Sequence, residues 1–230
     1  MLRIQLRILP MLGACIAFPV MAADERPTAS RPSPFFQPAT STPRAPDPDG
    51  FLQRWLLLEP IVKPNRSNAG FTGTYVRAAL TQQYFPGQFA IVPHDGQKVA
   101  AKEPLQWHAL DSKLFDVKLF NFAQGLNKPT YGVIFWAVTV VYSPREMANV
   151  RLAVGSNSAS MWWVNGKEAV GLFGDRRMVM DDVVSRSLTL HKGRNIIRGA
   201  VINGPGLSDF CVRFIDADGQ PVRDVTLSVK

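Results

Sequence analysis

The sequence predicts an all-β fold, a sandwich or barrel, over residues 51–230. Runs of β-branched and aromatic residues recur at roughly 8–15-residue spacing. Gly, Pro, Asn and Asp separate them, and no stretch carries a long amphipathic helical pattern. The composition agrees: 230 residues with 46% hydrophobic and 19% charged side chains describe a chain that buries a core. The 26 Lys+Arg against 18 Asp+Glu give +8, but the basic residues are spread singly. No cluster tracks a phosphate backbone, so nucleic acid is not an expected partner.

The chain opens with Arg3 and Arg7, an apolar stretch from Ile8 to Val20, and small residues at Val20 and Ala22 flanking Met21. This is the pattern of a secretory signal peptide over residues 1–22. The stretch is short and interrupted by Pro10 and Pro19, which excludes a comfortable membrane span of about 20 residues; no transmembrane segment is expected elsewhere. Leu12-Gly13-Ala14-Cys15 also resembles a lipobox, which gives a lipid anchor at Cys15 and an outer-membrane lipoprotein as the alternative to a free periplasmic or extracellular protein. Removing residues 1–22 takes away two arginines and no acid, so +8 becomes +6. Cys211 is then the one remaining cysteine, and its strand neighbours Phe210, Val212 and Phe214 predict a buried thiol.

Residues 23–50 hold seven prolines among Ser, Thr and Ala, with Phe35-Phe36 as the sole aromatic pair. Such a segment buries too little to offset its ordering entropy, so a disordered spacer is expected, with docking of Phe35-Phe36 as the alternative. Beyond it, Tyr131 to Tyr142 reads as a long strand buried on both faces. Asn195–Ile202 and Phe210–Ile215 read as further strands. Asn165-Gly166 between Met161–Val164 and Lys167–Val170 predicts a two-residue hairpin turn, and Asp218-Gly219 predicts another between Phe210–Ile215 and Val222–Val229.

Several of these pieces, taken in order, resemble a known family. Phe51-Leu52-Gln53-Arg54-Trp55-Leu56-Leu57-Leu58-Glu59-Pro60-Ile61 is similar to the W-L-x-L-G-P-F opening of galactose-binding-like jelly-roll modules that accompany bacterial polysaccharide-degrading enzymes. Val150–Ser156, Trp163–Glu168, Leu188–Asn195, and Phe210–Phe214 with Asp216–Val222 follow in the same order. The resemblance implies a jelly-roll β-sandwich with a non-catalytic carbohydrate-recognition role, although some relatives are labelled acetylxylan esterases. Related modules, the protective-antigen-type sugar binders among them, often carry Asp-Asp-Gly after the Gly-Ser to hold calcium. Gly155-Ser156-Asn157-Ser158-Ala159 has no carboxylate, and calcium needs six to eight oxygens, so no metal is expected there.

No catalytic constellation stands out. His94 lies in the turn string Pro93-His94-Asp95-Gly96, His108 reads as a strand residue, and His191 precedes a turn. Gly206-Leu207-Ser208-Asp209-Phe210 lacks the last glycine and the following helix of a nucleophile elbow. Asp181-Asp182 reads as adjacent strand residues that point to opposite faces and stay solvated. No metal-ligand spacing or cofactor motif occurs, so no cofactor is expected.

Sugar recognition needs flat aromatic faces edged by planar hydrogen-bonding groups. Trp162 and Trp163 are consecutive strand residues, so one faces the core and the other faces outward. By the family pattern Trp163 holds the usual tryptophan position, which makes Trp162 the candidate contact. Arg176 and Arg177, in the loop after the hairpin, are the candidate donors. Trp55, Trp107 and Trp136 sit in apolar strands and are assigned to the core. The expected function is a secreted, non-catalytic module that binds carbohydrate or an envelope-associated partner. An acetylxylan-esterase-type enzyme and a protein-binding envelope adaptor are the alternatives.

Overall fold

The computed structural model describes residues 34–65 and 67–230. The expected signal peptide, Cys15 and the first part of the spacer lie outside the described residues. In chain order the elements are β1 (Phe36–Pro38), β2 (Arg54–Leu58), β3 (Ile61–Val62), α1 (Gly73–Thr81), β4 (Lys98–Val99), β5 (Leu105–Ser112), α2 (Leu119–Gly125), β6 (Val133–Ser143), β7 (Met147–Ser156) and β8 (Ala159–Val164). They continue as β9 (Lys167–Leu172), β10 (Val183–Val184), β11 (Leu188–Leu190), β12 (Gly193–Asn203), β13 (Phe210–Ile215) and β14 (Thr226–Ser228). The expected β-rich architecture is present as two antiparallel sheets. The large one runs β1-β5-β2-β6-β12-β8-β9, with β3 and β14 also on β6 and β4 on β5. The small one is built on β7, which pairs β13 on one side and β10 and β11 on the other.

β6 has the register of the whole sheet. It pairs β12 over its full length from Val133↔Asn203 to Ser143↔Gly193, and every residue except Tyr142 is buried. The expected long, doubly buried strand is this one, starting at Val133 because Gly132 turns at φ +60°. Alternate residues of the large sheet feed two cores. Trp55, Leu57, Phe135, Trp162, Ile197 and Val201 face the small sheet, where Leu152, Val154, Phe210, Val212 and Phe214 meet them. Leu56, Trp136, Val138, Met161, Trp163 and Ile202 face the other way, under Val76, Ala79 and Leu80 of α1 and Phe71 and Phe85 beside it. The molecule therefore has a third layer, made by residues between β3 and β5, which the strand-only reading did not anticipate. α1 starts at an N-cap, Thr72, whose side-chain oxygen accepts from the Tyr75 amide. At nine residues it is too short to leave a clear sequence signature.

The Asn165-Gly166 turn forms as expected, with φ +50° and +78° joining β8 to β9. The Asp218-Gly219 turn also forms, but the second strand does not stay with β13. After one bridge between Ile215 and Pro221, the chain crosses to the large sheet and β14 pairs with β6.

A correction concerns the spacer. Residues 34–50 are laid along the domain: β1 pairs β5 from Phe36↔Ser112 to Pro38↔Leu110, and Phe36 is buried edge-on against Phe122. The physical cause lies in a distant segment. Arg54 is buried and forms two parallel hydrogen bonds to Asp111, Nε to Oδ1 at 2.8 Å and Nη2 to Oδ2 at 2.9 Å. Its remaining donors need acceptors, and the arm supplies the Thr42 carbonyl and the Thr40 hydroxyl. Arg44 adds a bond to Gln53 and the strand-like bridge to Leu227.

Trp162 is also corrected. It is fully buried in the core between the sheets, edge-on to Trp55 and Phe210, and its indole nitrogen donates to Ser160. The opposite residue Gly199 leaves room for it: a Cβ there would lie 2.2 Å from the ring. Trp163 faces outward as the alternation requires, yet it is also buried, stacked on Trp136 at 5.7 Å under the third layer. Trp55, Trp107 and Trp136 are core as expected.

Two stability outcomes follow. Gly199→Ala forces Trp162 from its rotamer, and urea denaturation should show a loss of about 1–3 kcal/mol, the range for overpacking. Phe36→Ala should cost about 3 kcal/mol, as for a buried phenylalanine; an unchanged midpoint would detach the arm from the cooperative fold.

Candidate ligand-binding end of the sandwich

The strand registers gather several loops at one end. β6 begins opposite the end of β12, β8 begins opposite Ile202, β9 ends opposite Ser160, and β7 ends opposite Phe210. Segments 127–132, 156–159, 173–182 and 203–209 therefore emerge together. Two buried asparagines fasten them. Asn203 Nδ2 donates to the Thr130 carbonyl at 3.1 Å and the Gly206 carbonyl at 3.0 Å. Asn68 Nδ2 donates to Asp175 Oδ1 at 2.9 Å and the Pro205 carbonyl at 3.0 Å, while its Oδ1 accepts from the Gly204 amide.

The end so fixed is unusually apolar at its rim. Among the described residues, the large apolar side chains that are more than half exposed are Val62, Tyr131, Val179, Met180 and Leu207, and all five lie here. Tyr131 is 55% exposed and its ring leans on Phe120, centroids 5.6 Å apart. Val62 also borders a recess of about 170 Å³ with Ile61, Pro64, Lys102, Glu103 and Leu105.

Of the sequence-derived candidates, Trp162 is absent from this surface. Arg176 and Arg177 are on it, in different states. Arg176 is half-buried and held by Asp182, with Nε to Oδ2 at 3.0 Å, and by the Phe173 carbonyl at 3.2 Å. Arg177 is exposed, and no hydrogen bond or ion pair joins it to any described residue. Asp181 and Asp182 are corrected too. They form a turn, with Asp181 at φ +54°, and each holds a different arginine, Asp181 pairing Arg213 and Asp182 pairing Arg176.

Behind the rim, Lys118 places its ammonium 2.6 Å from Asp116 Oδ2 and 3.1 Å from Asp209 Oδ2. Both carboxylates are buried, and Asp116 Oδ1, Asp209 Oδ1 and the hydroxyls of Ser158 and Ser208 have no partner among the described residues. Burial raises the Asp209 pKa against the opposing pull of Lys118. Burial would lower that of Lys118, but the bonds and charges of Asp116 and Asp209 outweigh it and raise it. The set does not fit a calcium ion: the ammonium already lies between the two carboxylates, and no third carboxylate joins them among the described residues.

The histidines face other partners. His94 Nδ1 meets the Asp95 carbonyl, His108 Nε2 lies 3.4 Å from Glu59, and His191 Nδ1 lies 3.8 Å from Glu146. Ser208 is fully buried. Cys211 is buried as expected, and desolvation pushes its thiol up to about 12.

Tyr131 was hidden in the sequence because it abuts the long apolar strand. The turn string Asn127-Lys128-Pro129-Thr130-Tyr131-Gly132 was the available signal for a loop position. Leu207 is likewise displayed by Gly204-Pro205-Gly206.

No family model matches the chain, and no curated protein matches it. Among solved structures, the chain is similar to a PA14 sugar-binding domain from an RTX adhesin at 10% identity and a TM-score of 0.38, over 76% of this chain and 96% of that one. It is similar to the PA14 domain of the MpAFP antifreeze protein at 11% identity and a TM-score of 0.40, over 84% and 96%. A GH31 alpha-xylosidase from Xanthomonas citri is similar at 10% identity and a TM-score of 0.32, over 84% of this chain and 19% of that chain.

Lys118→Met leaves two buried carboxylates without their cation. Breaking a buried pair costs about 3–5 kcal/mol; because Lys118 keeps 24% of its side chain in water, the expected loss is roughly 2–3 kcal/mol. The raised Lys118 pKa means its contribution is complete below the ordinary value of 10.5 and lost as pH rises through the folded value. Urea midpoints taken across that alkaline range should decline in the wild type, and this part of the decline should vanish in Lys118→Met.

Proposed function

We propose that this domain is a non-catalytic carbohydrate-binding module that engages a polysaccharide or another envelope component through the loop end. The observation that carries the reading is the exposed Tyr131 ring, braced by Phe120, on the end where the most exposed apolar side chains gather. A phenol ring offers a flat apolar face for a pyranose, and its hydroxyl offers a polar edge. Arg177 supplies donors not committed to any described side chain. The recess beside Val62 is smaller than cavities of about 300–1,000 Å³ that enclose a ligand. Contact with one side of a polymer suits it better than engulfment.

The proposal also takes the module to be exported, to the periplasm or the exterior, on the strength of Arg3, Arg7, the apolar stretch 8–20 and the small residues at 20 and 22. A lipid anchor at Cys15 is its variant form. The ordered motif set from Phe51 to Val222 supports the narrower reading as a galactose-binding-like jelly roll.

The same apolar rim favours, as a second reading, an adaptor that binds protein, since contiguous exposed apolar surface marks interaction sites of either kind. Affinity electrophoresis against soluble polysaccharides separates the two. Retardation by at least one polysaccharide, weakened about tenfold or more in Tyr131→Ala (about 1.4 kcal/mol), supports carbohydrate binding. Unretarded migration in all of them favours the adaptor. Saturable acetate release from acetylated xylan would replace both with an esterase.

A further inference from the structure

The outer face of the large sheet holds a second polar feature, remote from the loop end. Along β12, Arg194, Ile196, Arg198 and Ala200 alternate onto this face. Their partners on β6 are Tyr142, Val140, Val138 and Trp136. The third layer covers the Ala200 and Trp136 row, but the cover thins toward the start of β12: Ile196 is half-buried, and Arg194 and Tyr142 are exposed. Arg198 sits at that boundary, 3% exposed, with Trp163 as its cross-strand neighbour on β8.

Among the described residues Arg198 has no acceptor. Its guanidinium makes no hydrogen bond or ion pair with any described residue, and Nη1 is wholly removed from solvent. The carboxylate that shares its row, Glu168 opposite Trp163, is taken by Arg77 at 2.6 Å. Arg194, the next arginine along β12, only adds repulsion. Burial, with that repulsion, lowers the Arg198 pKa to about 10. A buried charge is ordinarily paired, because leaving it unpaired costs several kcal/mol. The other buried arginine among the described residues obeys this: Arg54 has Asp111 and two arm oxygens.

We propose that Arg198 forms the floor of a carboxylate-binding site on the outer face of the large sheet, and that its ligand is the carboxylate of a uronic acid residue. A guanidinium binds a planar carboxylate through two parallel bonds, Arg194 adds charge at the rim, and the exposed Tyr142 ring offers a face to the sugar that carries the carboxylate. The choice of a sugar acid rests on the carbohydrate reading above. The carboxylate chemistry does not.

The test uses the full chain with sodium glucuronate, sodium acetate and glucose as probes, against sodium chloride at matched ionic strength. Glucuronate should raise the thermal midpoint by roughly 5 °C at a concentration about 100 times its Kd, and should shift tryptophan emission saturably through Trp163. Acetate should act in the same way but more weakly, and glucose should have no effect. Arg198→Lys should weaken glucuronate binding about tenfold or more, Arg198→Met should abolish it, and Tyr131→Ala should leave it unchanged, which separates this site from the loop end. Should Arg198→Met not fold, the wild-type emission titration decides alone. A glucuronate response no larger than that of chloride, or one retained in Arg198→Met, overturns the site. Tighter binding of an acidic peptide than of glucuronate overturns the uronate assignment.

Discussion

Consecutive residues of a strand must point to opposite faces, and here that rule acts on two adjacent tryptophans. Trp162 drives into the space between the sheets, where Gly199 leaves room for its ring, and Trp163 lies flat on Trp136 on the other side. Neither face of the large sheet can then be left to water. One is closed by the small sheet and the other by α1 and the segment that follows it. The three-layer build follows from this pair of side chains. It also explains why β6 and β12, running through the middle, are almost continuously buried.

With both faces largely covered, the surfaces left for a partner are the sheet ends and the uncovered margin of the outer face. The loop end is stiffened from within. Asn68 and Asn203 tie neighbouring loops through backbone carbonyls, and Lys118 joins two buried carboxylates that belong to different segments. Such ties let Tyr131 and Leu207 stay exposed without the loops collapsing over them. Along the edge of the large sheet the arm does similar work, because the donors of Arg54 that Asp111 leaves free are taken by oxygens of residues 40 and 42.

What was legible in the sequence was what local chemistry alone decides. Asn165-Gly166 forces its own turn, the Val133–Ser143 run admits only a buried strand, and Cys211 among Phe210, Val212 and Phe214 is buried by its neighbours. What was not legible depends on partners far along the chain. The arm has a disordered composition and is ordered by Arg54 and Asp111, which belong to other strands. Alternation showed that Trp162 and Trp163 part company, but not that a layer from residues 63–104 would cover the outer one. Arg176 and Arg177 were found because loop position is readable, while the commitment of Arg176 to Asp182 is a matter of geometry. Tyr131 is not legible as a loop residue because only Gly132 separates it from the apolar run of β6.

The proposed polysaccharide contact is the end of the sandwich where Tyr131 and Leu207 are displayed. Amide hydrogen exchange, with and without a saturating uncharged polysaccharide that retards the protein in electrophoresis, maps that contact. Slowed exchange is expected only in residues 127–132, 156–159, 173–182 and 203–209, with β6 and β12 unchanged. Protection that falls instead on residues 216–224 at the opposite end, or none at saturation, would contradict it.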